Sequence, residues 1–459
     1  MTPLLLLLLA SFLLVGLSAR RPEASRESFF VADRRGSPTL IAGSLVATIV
    51  GGSATIGVAG LGYQRGLTAA WWTLVGAVGL VVLGLVLAPR VRCFNVYTLP
   101  GIARSMYGPA VGMAVALLTV VAWTGVVSGQ IVAASSVLSI AGAGDVTPWI
   151  LLFAGVLVLY TVAGGQKAVI RTDALQTVVI FAGLAVALVY VLRAWGGPAA
   201  WVAAAPAGSL DFPVSEAFGW SDIGTTLVLV GCVYLVGPDI YTRLLSARDG
   251  RDARKAALSA ALLIVPVAFV VAALGLSAAM MAPDIAPEQA LPWLASSALP
   301  SSVALILLIG LVAALMSSAD STLLGQATVA AEDILSGILH LDERRVVLAA
   351  RICIPALAAL AVVLALGLRE VIASLMFAYS IFTSGVVGPM LLGLLRGGRR
   401  PDGTSALAGI CVGGACGLLG ALPGVDISLK SGLPLLGLGL SIVIPLLLAP
   451  LLRSRSVPN

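Results

Sequence analysis

The chain is a succession of apolar runs, with its charge confined to the short segments between them. A helix that crosses a bilayer needs roughly 20 mostly apolar residues. Runs of that kind fall at 3–19, 38–63, 68–90, 110–140, 148–164, 174–193, 221–242, 257–281, 302–332, 346–367, 371–395, 404–422 and 433–452, thirteen in all. Only 10% of the 459 residues are charged, against about 25% in soluble domains. No soluble fold of this length could cover itself with so little charge. The expected class is an all-α integral membrane protein of about thirteen helices, seated in the lipid bilayer of the cell (inner) membrane. The 51 glycines suit close helix–helix approach in lipid.

Several function classes drop out early. The net charge of +6 does not mark a nucleic-acid partner, because the basic residues sit in short clusters between apolar runs. Cys93, Cys232, Cys353, Cys411 and Cys416 form no metal-type spacing and read as small membrane-core residues. His340 is the only histidine, which argues against a His-based catalytic or metal centre. A polytopic membrane enzyme would need His, Cys or carboxylates converging at one depth, and the chain shows no such set. A sensor built on a transporter scaffold would usually carry an appended cytoplasmic domain, and only a few residues follow the last run.

Orientation follows from the distribution of Lys and Arg. One set of connections carries Arg20, Arg21, Arg26, Arg34 and Arg35, then Arg90 and Arg92, Lys167 and Arg171. It continues with Arg243, Arg248, Arg251, Arg254 and Lys255, then Arg344, Arg345, Arg396, Arg399, Arg400, Arg453 and Arg455. The opposite set holds Arg65, Arg193, Arg369 and Lys430. This alternation places the N-terminus outside and the C-terminus in the cytoplasm. No Lys or Arg precedes the run at 3–18, whereas Arg20 and Arg21 follow it. A signal peptide has the opposite polarity, so the run reads as an extra N-terminal helix. The longest outside segment, Ala194 to Trp220, is rich in Pro, Ala and Gly.

Interruptions of apolar helices carry information, because unpaired backbone at membrane depth is tolerated only where it is buried or lines a cavity. The second run contains Gly51 and Gly52, followed by Ser53 and Thr55, near its middle. The seventh contains Gly231 and then Gly237-Pro238-Asp239. Pro238 removes a backbone donor and clashes with the preceding turn. Each break lies in the first helix of a five-helix set, 38–193 and 221–395. Paired breaks at matching positions point to an inverted-repeat transporter with a site near the midplane. The chain then reads as one transmembrane domain over 1–459: the extra helix at 3–19, the two repeats, and two C-terminal helices at 404–452.

The ninth run holds the densest polar cluster, Ser317, Ser318, Asp320, Ser321 and Thr322. Such groups inside lipid usually face the bundle and mark an ion or solute path. One helix face offers several hard oxygen ligands, which suits an alkali cation. The bland alternatives are hydroxyls bonded back to their own helix and Asp320 at a wet cytoplasmic end. In the fourth run, Gln130 stands mid-helix among apolar neighbours. An unpaired amide there is costly, so it bonds either a solute or another helix.

At these residues the chain resembles the sodium:solute symporter family, whose members include sodium/proline, sodium/pantothenate, sodium/sialic acid and sodium/glucose carriers. The supporting segments are Ser28 to Arg35, Gly57 to Gly66, Gly164 to Asp173, Tyr241 to Arg248 and Ala314 to Leu324, followed by Glu332-Asp333. The resemblance runs from about Phe29 to Leu395. It implies a LeuT-type fold of five plus five inverted helices and sodium-coupled alternating access, with sodium as the coupling ion and no cofactor. It implies a sodium site made of the carbonyls of Ala47, Val50 and Ala314 and the hydroxyls of Ser317 and Ser318. Asp173 matches a family carboxylate on the cytoplasmic side, with a cation exit relay as its implied role; a helix N-terminal carboxylate is the alternative. Some members bind a second sodium, which here maps to Asp173, Ser317, Asp320 and Ser321.

A small-molecule solute is expected between the broken helices and the third core helix, near Gly51, Gly52, Ser53, Ala54, Trp72, Gln130, Val233 and Tyr234. The sugar carriers place an aromatic gate where this chain has Val233 and an amide where it has Ala54, so both departures argue against a sugar. A small amino acid or organic acid is favoured. Proton coupling through Asp173 and Asp320 stays open as an alternative to sodium.

Overall fold

The computed structural model describes residues 25–139, 147–397, 400–422 and 427–455. The predicted first span at 3–19 lies outside them. The described residues are almost wholly helical, and no β-strand occurs among them beyond two isolated bridges. The helices that position the site are α1 (Pro38–Ile49), α2 (Val58–Arg65), α3 (Trp71–Val82), α4 (Pro109–Leu138), α5 (Thr147–Gly164), α6 (Gln166–Ala194), α7 (Pro238–Ser246), α8 (Gly250–Met281), α9 (Ser301–Val329), α10 (Glu343–Leu368) and α11 (Val371–Phe382). Two more, α12 (Gly403–Ala421) and α13 (Ile427–Arg455), pack on each other at the end of the chain.

Among the described residues, ten helical stretches are long and apolar enough to cross a membrane, and two shorter apolar ones, Pro38–Ile49 and Thr147–Val162, accompany them. Thirteen spans are therefore not established. The predicted span 38–63 is not one helix. Val50, with φ −82° and ψ 55°, leaves the helical region and ends α1, and helix resumes at Ser53 as a wide π-type turn before α2. The predicted boundary between 63 and 68 is softer than expected. Gly66 has φ +68°, and a tight turn at Gly66–Ala70 carries the chain straight into α3. A Cβ at Gly66 would collide with the Ser209 carbonyl, so that position requires glycine.

Large apolar side chains face outward along the bundle: Leu175, Val178, Leu262, Ile352, Val363 and Leu447 are all exposed. Small residues face inward. In α8, Ala253, Ala256, Ala257, Ala260, Ala261, Ala268 and Ala272 are buried. This inverted pattern is that of a bundle solvated by lipid, where small residues allow close helix approach.

Helix starts are marked by side-chain caps. Asp249 accepts from the backbone N–H groups of Arg251 and Asp252 at α8, and Asp342 does so from Arg345 at α10. The arginine-rich connections converge at one end of the bundle. Arg26 pairs with Glu332, Lys167 with Asp33 at 2.9 Å, and Arg92 donates to the Ala247 carbonyl at 2.6 Å. The long segment 195–219 covers part of α3 and α8. Trp71 donates to the Pro213 carbonyl at 2.8 Å and stacks on Phe212, and Trp201 donates to Ser277 on α8 at 2.9 Å.

The contact between α2 and α8 is glycine-dependent. A Cβ at Gly275 would strike the Ala59 backbone and one at Gly62 the Ala272 backbone. Backbone cannot yield as a side-chain tip can. Gly275→Ala is therefore expected to cost about 1–3 kcal/mol, read as a lower melting temperature of the purified protein. An unchanged melting temperature would show that these helices do not interlock as described.

Candidate ion and solute site

The break in α1 leaves orphan backbone groups in the middle of the bundle. Two helices satisfy them. From α4, Gln130 offers its Oε1 to the Gly52 N–H at 2.7 Å. From α9, the hydroxyls of Ser317 and Ser318 reach the Ala47 carbonyl at 2.9 and 3.0 Å. Ser317 also lies 3.0 Å from the Ala314 carbonyl, and Ser318 lies 2.8 Å from the Thr48 carbonyl. Each hydroxyl has one proton and faces two carbonyls. The cluster is thus rich in oxygen lone pairs and short of protons. Its hydroxyls bond across to α1, in addition to the back-bond of Ser317 within its own helix.

Four of the five residues expected around a sodium ion, Ala47, Ala314, Ser317 and Ser318, are in mutual contact here. Val50 sits at the break itself and donates its N–H to Val46. Thr48 joins the cluster through its carbonyl. It was missed because backbone oxygens have no signature in a side-chain pattern.

On the next turns of α9 lies a buried charge cluster. Asp173, fully buried, accepts from Ser44 at 2.6 Å and from Ser321 and Arg243 at 3.3 Å each, all on Oδ2. Arg243 is also fully buried, and its Nε donates to the Ser44 hydroxyl at 3.1 Å. Counting Arg243 among loop arginines is corrected by this. It lies in the last turn of α7 and points into the bundle because a buried carboxylate awaits it. The N-terminal alternative for Asp173 also fails, since it stands in the interior of α6. Asp320 is not at a wet end. It is fully buried, the Ser321 and Tyr160 hydroxyls stand beside it without a well-formed hydrogen bond, and Asp173 and Arg243 are its charged neighbours. The structure therefore brings Asp173, Ser321 and Asp320 together beside Ser317.

Beside these clusters lies a small cavity of ≈ 30 Å³. Ser53, Gln130, Val233 and Tyr234, all expected near a solute, line it. Gly51 and Gly52 pack behind it, where a Cβ would meet Gln130 and Ser318 or Ala133. Ala54 and Trp72 are not in the lining. Ala54 is buried among helices, and the Trp72 ring stands 6.5 Å from that of Tyr379, which does line the cavity. Trp123, Asp239, Thr322 and Tyr379 were missed. One signal existed for Trp123: at 123, 126 and 130 the lining residues of α4 follow the three-and-four spacing of one helix face. Asp239 stood in view as part of the break, not as a lining group.

Two weakened helices held by a hydroxyl-bearing third, around a cavity at their breaks, are the parts of an ion-coupled secondary transporter. The comparisons carry that class to a family. The model of the sodium:solute symporter family matches residues 29–413, and the chain belongs to that family. It is 26% identical to the high-affinity proline transporter PutP of Bacillus subtilis (strain 168), covering 92% of each chain. It is 25% identical to the sodium/pantothenate symporter of Escherichia coli (strain K12), covering 84% of this chain and 82% of that one. Among solved structures, a Na+-coupled sialic acid symporter in a substrate-bound outward-open state matches with a TM-score of 0.83 at 18% identity, over 98% of this chain and 97% of that one. MhsT in complex with L-phenylalanine matches at 0.56 and 15% identity, over 90% and 98%. The fold is thus the LeuT type that the resemblance implied. The function is sodium-coupled symport of a small solute by alternating access.

The Asp173–Arg243 pair has no water to fall back on. Arg243→Met is expected to cost about 3–5 kcal/mol, because it leaves a buried carboxylate uncompensated. The double variant Asp173→Asn/Arg243→Met should regain most of that. Melting temperatures of the single and double variants check it, and simply additive losses would contradict the pairing.

Proposed function

We propose that this chain couples inward sodium flow to uptake of a small amino acid or organic acid, and that a sodium ion is held by Ala47, Thr48, Val50, Ala314, Ser317 and Ser318. The observation carrying this reading is that two α9 hydroxyls reach one carbonyl of broken α1, at 2.9 and 3.0 Å. An ion ligated there ties α9 to the break and biases the conformation in which the cavity is formed. That is a coupling free energy between two ligands. The solute occupies the cavity at Ser53, Gln130, Val233 and Tyr234, with Gly51 and Gly52 behind it. No bond of the solute is made or broken in this cycle, so the chain acts as a carrier.

Asp173, Ser317, Asp320 and Ser321 form a second cation site or an exit relay in this reading. A fully buried carboxylate with no well-formed hydrogen bond, next to a second carboxylate, is costly unless a positive charge joins it. The same observation favours a second reading, in which a proton takes that seat. The segments 38–193 and 221–395 are assigned as the two repeats, supported by the break in the first helix of each. The end where Arg26, Arg92 and Lys167 gather is assigned to the cytoplasm, with the N-terminus outside, on the excess of Lys and Arg.

Ser317→Ala/Ser318→Ala is expected to raise the sodium concentration for half-maximal uptake by about tenfold or more, on the scale of two lost ligands at about 1 kcal/mol each. Uptake into proteoliposomes with a sodium or a proton gradient imposed separately measures it. Unchanged sodium dependence would sink the assignment. Wild-type uptake should rise with sodium with a Hill coefficient above one and fall to one in Asp320→Ala. A wild-type coefficient of one removes the second sodium, and uptake driven by the proton gradient alone selects the proton reading.

A further inference from the structure

We propose that the solute carries a protonated or quaternary amine, and that the Asp239 carboxylate is its counter-ion. This rests on reading the central cavity as the solute site, and it narrows the solute class that reading allows. Among the described residues, Asp239 is the only charged one in the cavity lining, and no Lys or Arg accompanies it. It is partly exposed, while its neighbours Pro238 and Ile240 are buried. Among the described residues it takes part in no ion pair.

The guanidinium one turn along α7 is already engaged. Arg243 gives Nη2 to Asp173 and Nε to Ser44, and its Nη1 goes to the backbone carbonyl of Asp239, not to the carboxylate. Arg243 and Asp173 cancel, and Asp239 is left over. As the second residue of α7 it receives the partial positive charge of the helix N-terminus. That charge of about one half stabilises a carboxylate without neutralising it. A cation arriving in the cavity completes the balance.

The neutral groups around Asp239 do not cancel its charge. The Nε1–H of Trp123 lines the same cavity, on a side chain only 2% exposed, and faces the Asp239 carboxylate without a well-formed hydrogen bond to it. A neutral donor steadies a carboxylate but leaves its negative charge in place. The Gln130 amide is oriented by the Gly52 N–H on its oxygen, so its NH2 group is the end left for the cavity. The cavity thus has one anion on α7, with Trp123 beside it, and the Gln130 amide as a neutral donor on α4. That polarity fits an ammonium with an acceptor at its far end, an amino acid or betaine in form.

The rings of Trp123, Tyr234 and Tyr379 share the lining, and ring faces attract cations. Trp123 is held edge-on to Phe382 at 4.6 Å, and Gly76 leaves room for the Tyr234 ring, which a Cβ there would meet at 2.8 Å. A simple organic acid would bring a second negative charge against Asp239, and a polyol would leave the carboxylate unpaired.

The test uses the full-length protein in sodium and reads its melting temperature against four probes at tens of millimolar: choline, glycine, acetate and glycerol. Choline and glycine should stabilise, and acetate and glycerol should not. Asp239→Asn should weaken the response to choline and glycine by about tenfold or more, the scale of a lost charge-assisted bond. No stabilisation by either ammonium probe overturns the proposal. So does equal stabilisation by acetate or glycerol, or an unchanged response in Asp239→Asn. Should that variant not fold, the wild-type series decides alone. Repeating the series without sodium separates the two readings. Ammonium binding that ignores sodium contradicts the sodium-coupled site and leaves Asp239 standing. A sodium-induced shift with no ammonium response does the reverse.

Discussion

Everything at the centre of this bundle depends on one unpaired stretch of backbone. Val50 leaves the helical region, α1 stops, and the carbonyls before the break and the N–H groups after it lose their helical partners. In water such groups would be solvated at little cost. At membrane depth they must find partners inside the protein. Two neighbouring helices answer with the groups the break requires: hydroxyls from α9 for the carbonyls, and an amide oxygen from α4 for an N–H. The broken segment and its partners thereby specify one another. A hydroxyl is a weak answer to two carbonyls, because it owns a single proton. That deficit is what makes the place suited to a small cation, which several oxygens can share at once.

The buried charges follow the same logic one layer further along α9. Asp173 and Arg243 compensate each other through Ser44 and through direct contact at 3.3 Å. Asp320 has no comparable partner. A pair that is complete and a carboxylate that is not, side by side, make on the proposed reading a site whose charge is balanced when a cation or a proton is bound. On the proposed reading, the electrostatic cost of the empty site is what ties ion entry to conformation. Asp239 repeats the pattern on the solute side, with its own incomplete balance.

The sequence was most legible where polarity stands out against an apolar background. Ser317, Ser318, Asp320 and Ser321 were conspicuous for that reason, and so were Gly51, Gly52 and Gly237-Pro238. Thr48 was not legible, since its contribution is a carbonyl. Trp123 and Tyr379 did not stand out, because an aromatic in an apolar run looks the same whether it faces lipid or a cavity. Arg243 was misplaced for a different reason. It stands near a helix end and in line with Arg248 and Arg251, so charge counting assigned it to the loop. Only the fold shows that Asp173, seventy positions earlier, lies within reach.

The ion cluster and the cavity are joined at a single peptide. A Cβ at Gly51 would press on both the Ser318 hydroxyl and Gln130 Oε1, at 2.8 Å from the latter. Gly51 therefore stands between a ligand of the proposed ion and a wall of the proposed solute site. No side chain intervenes to absorb a movement of either. On the proposed reading, an ion that draws Ser318 and the Ala47 and Thr48 carbonyls together shifts the break segment with them, and the Gly52 N–H carries Gln130 along. A well-packed interior passes such displacements on with little loss. The absence of a side chain at Gly51 is, on this geometry, what allows two ligands of different chemistry to act on one piece of backbone.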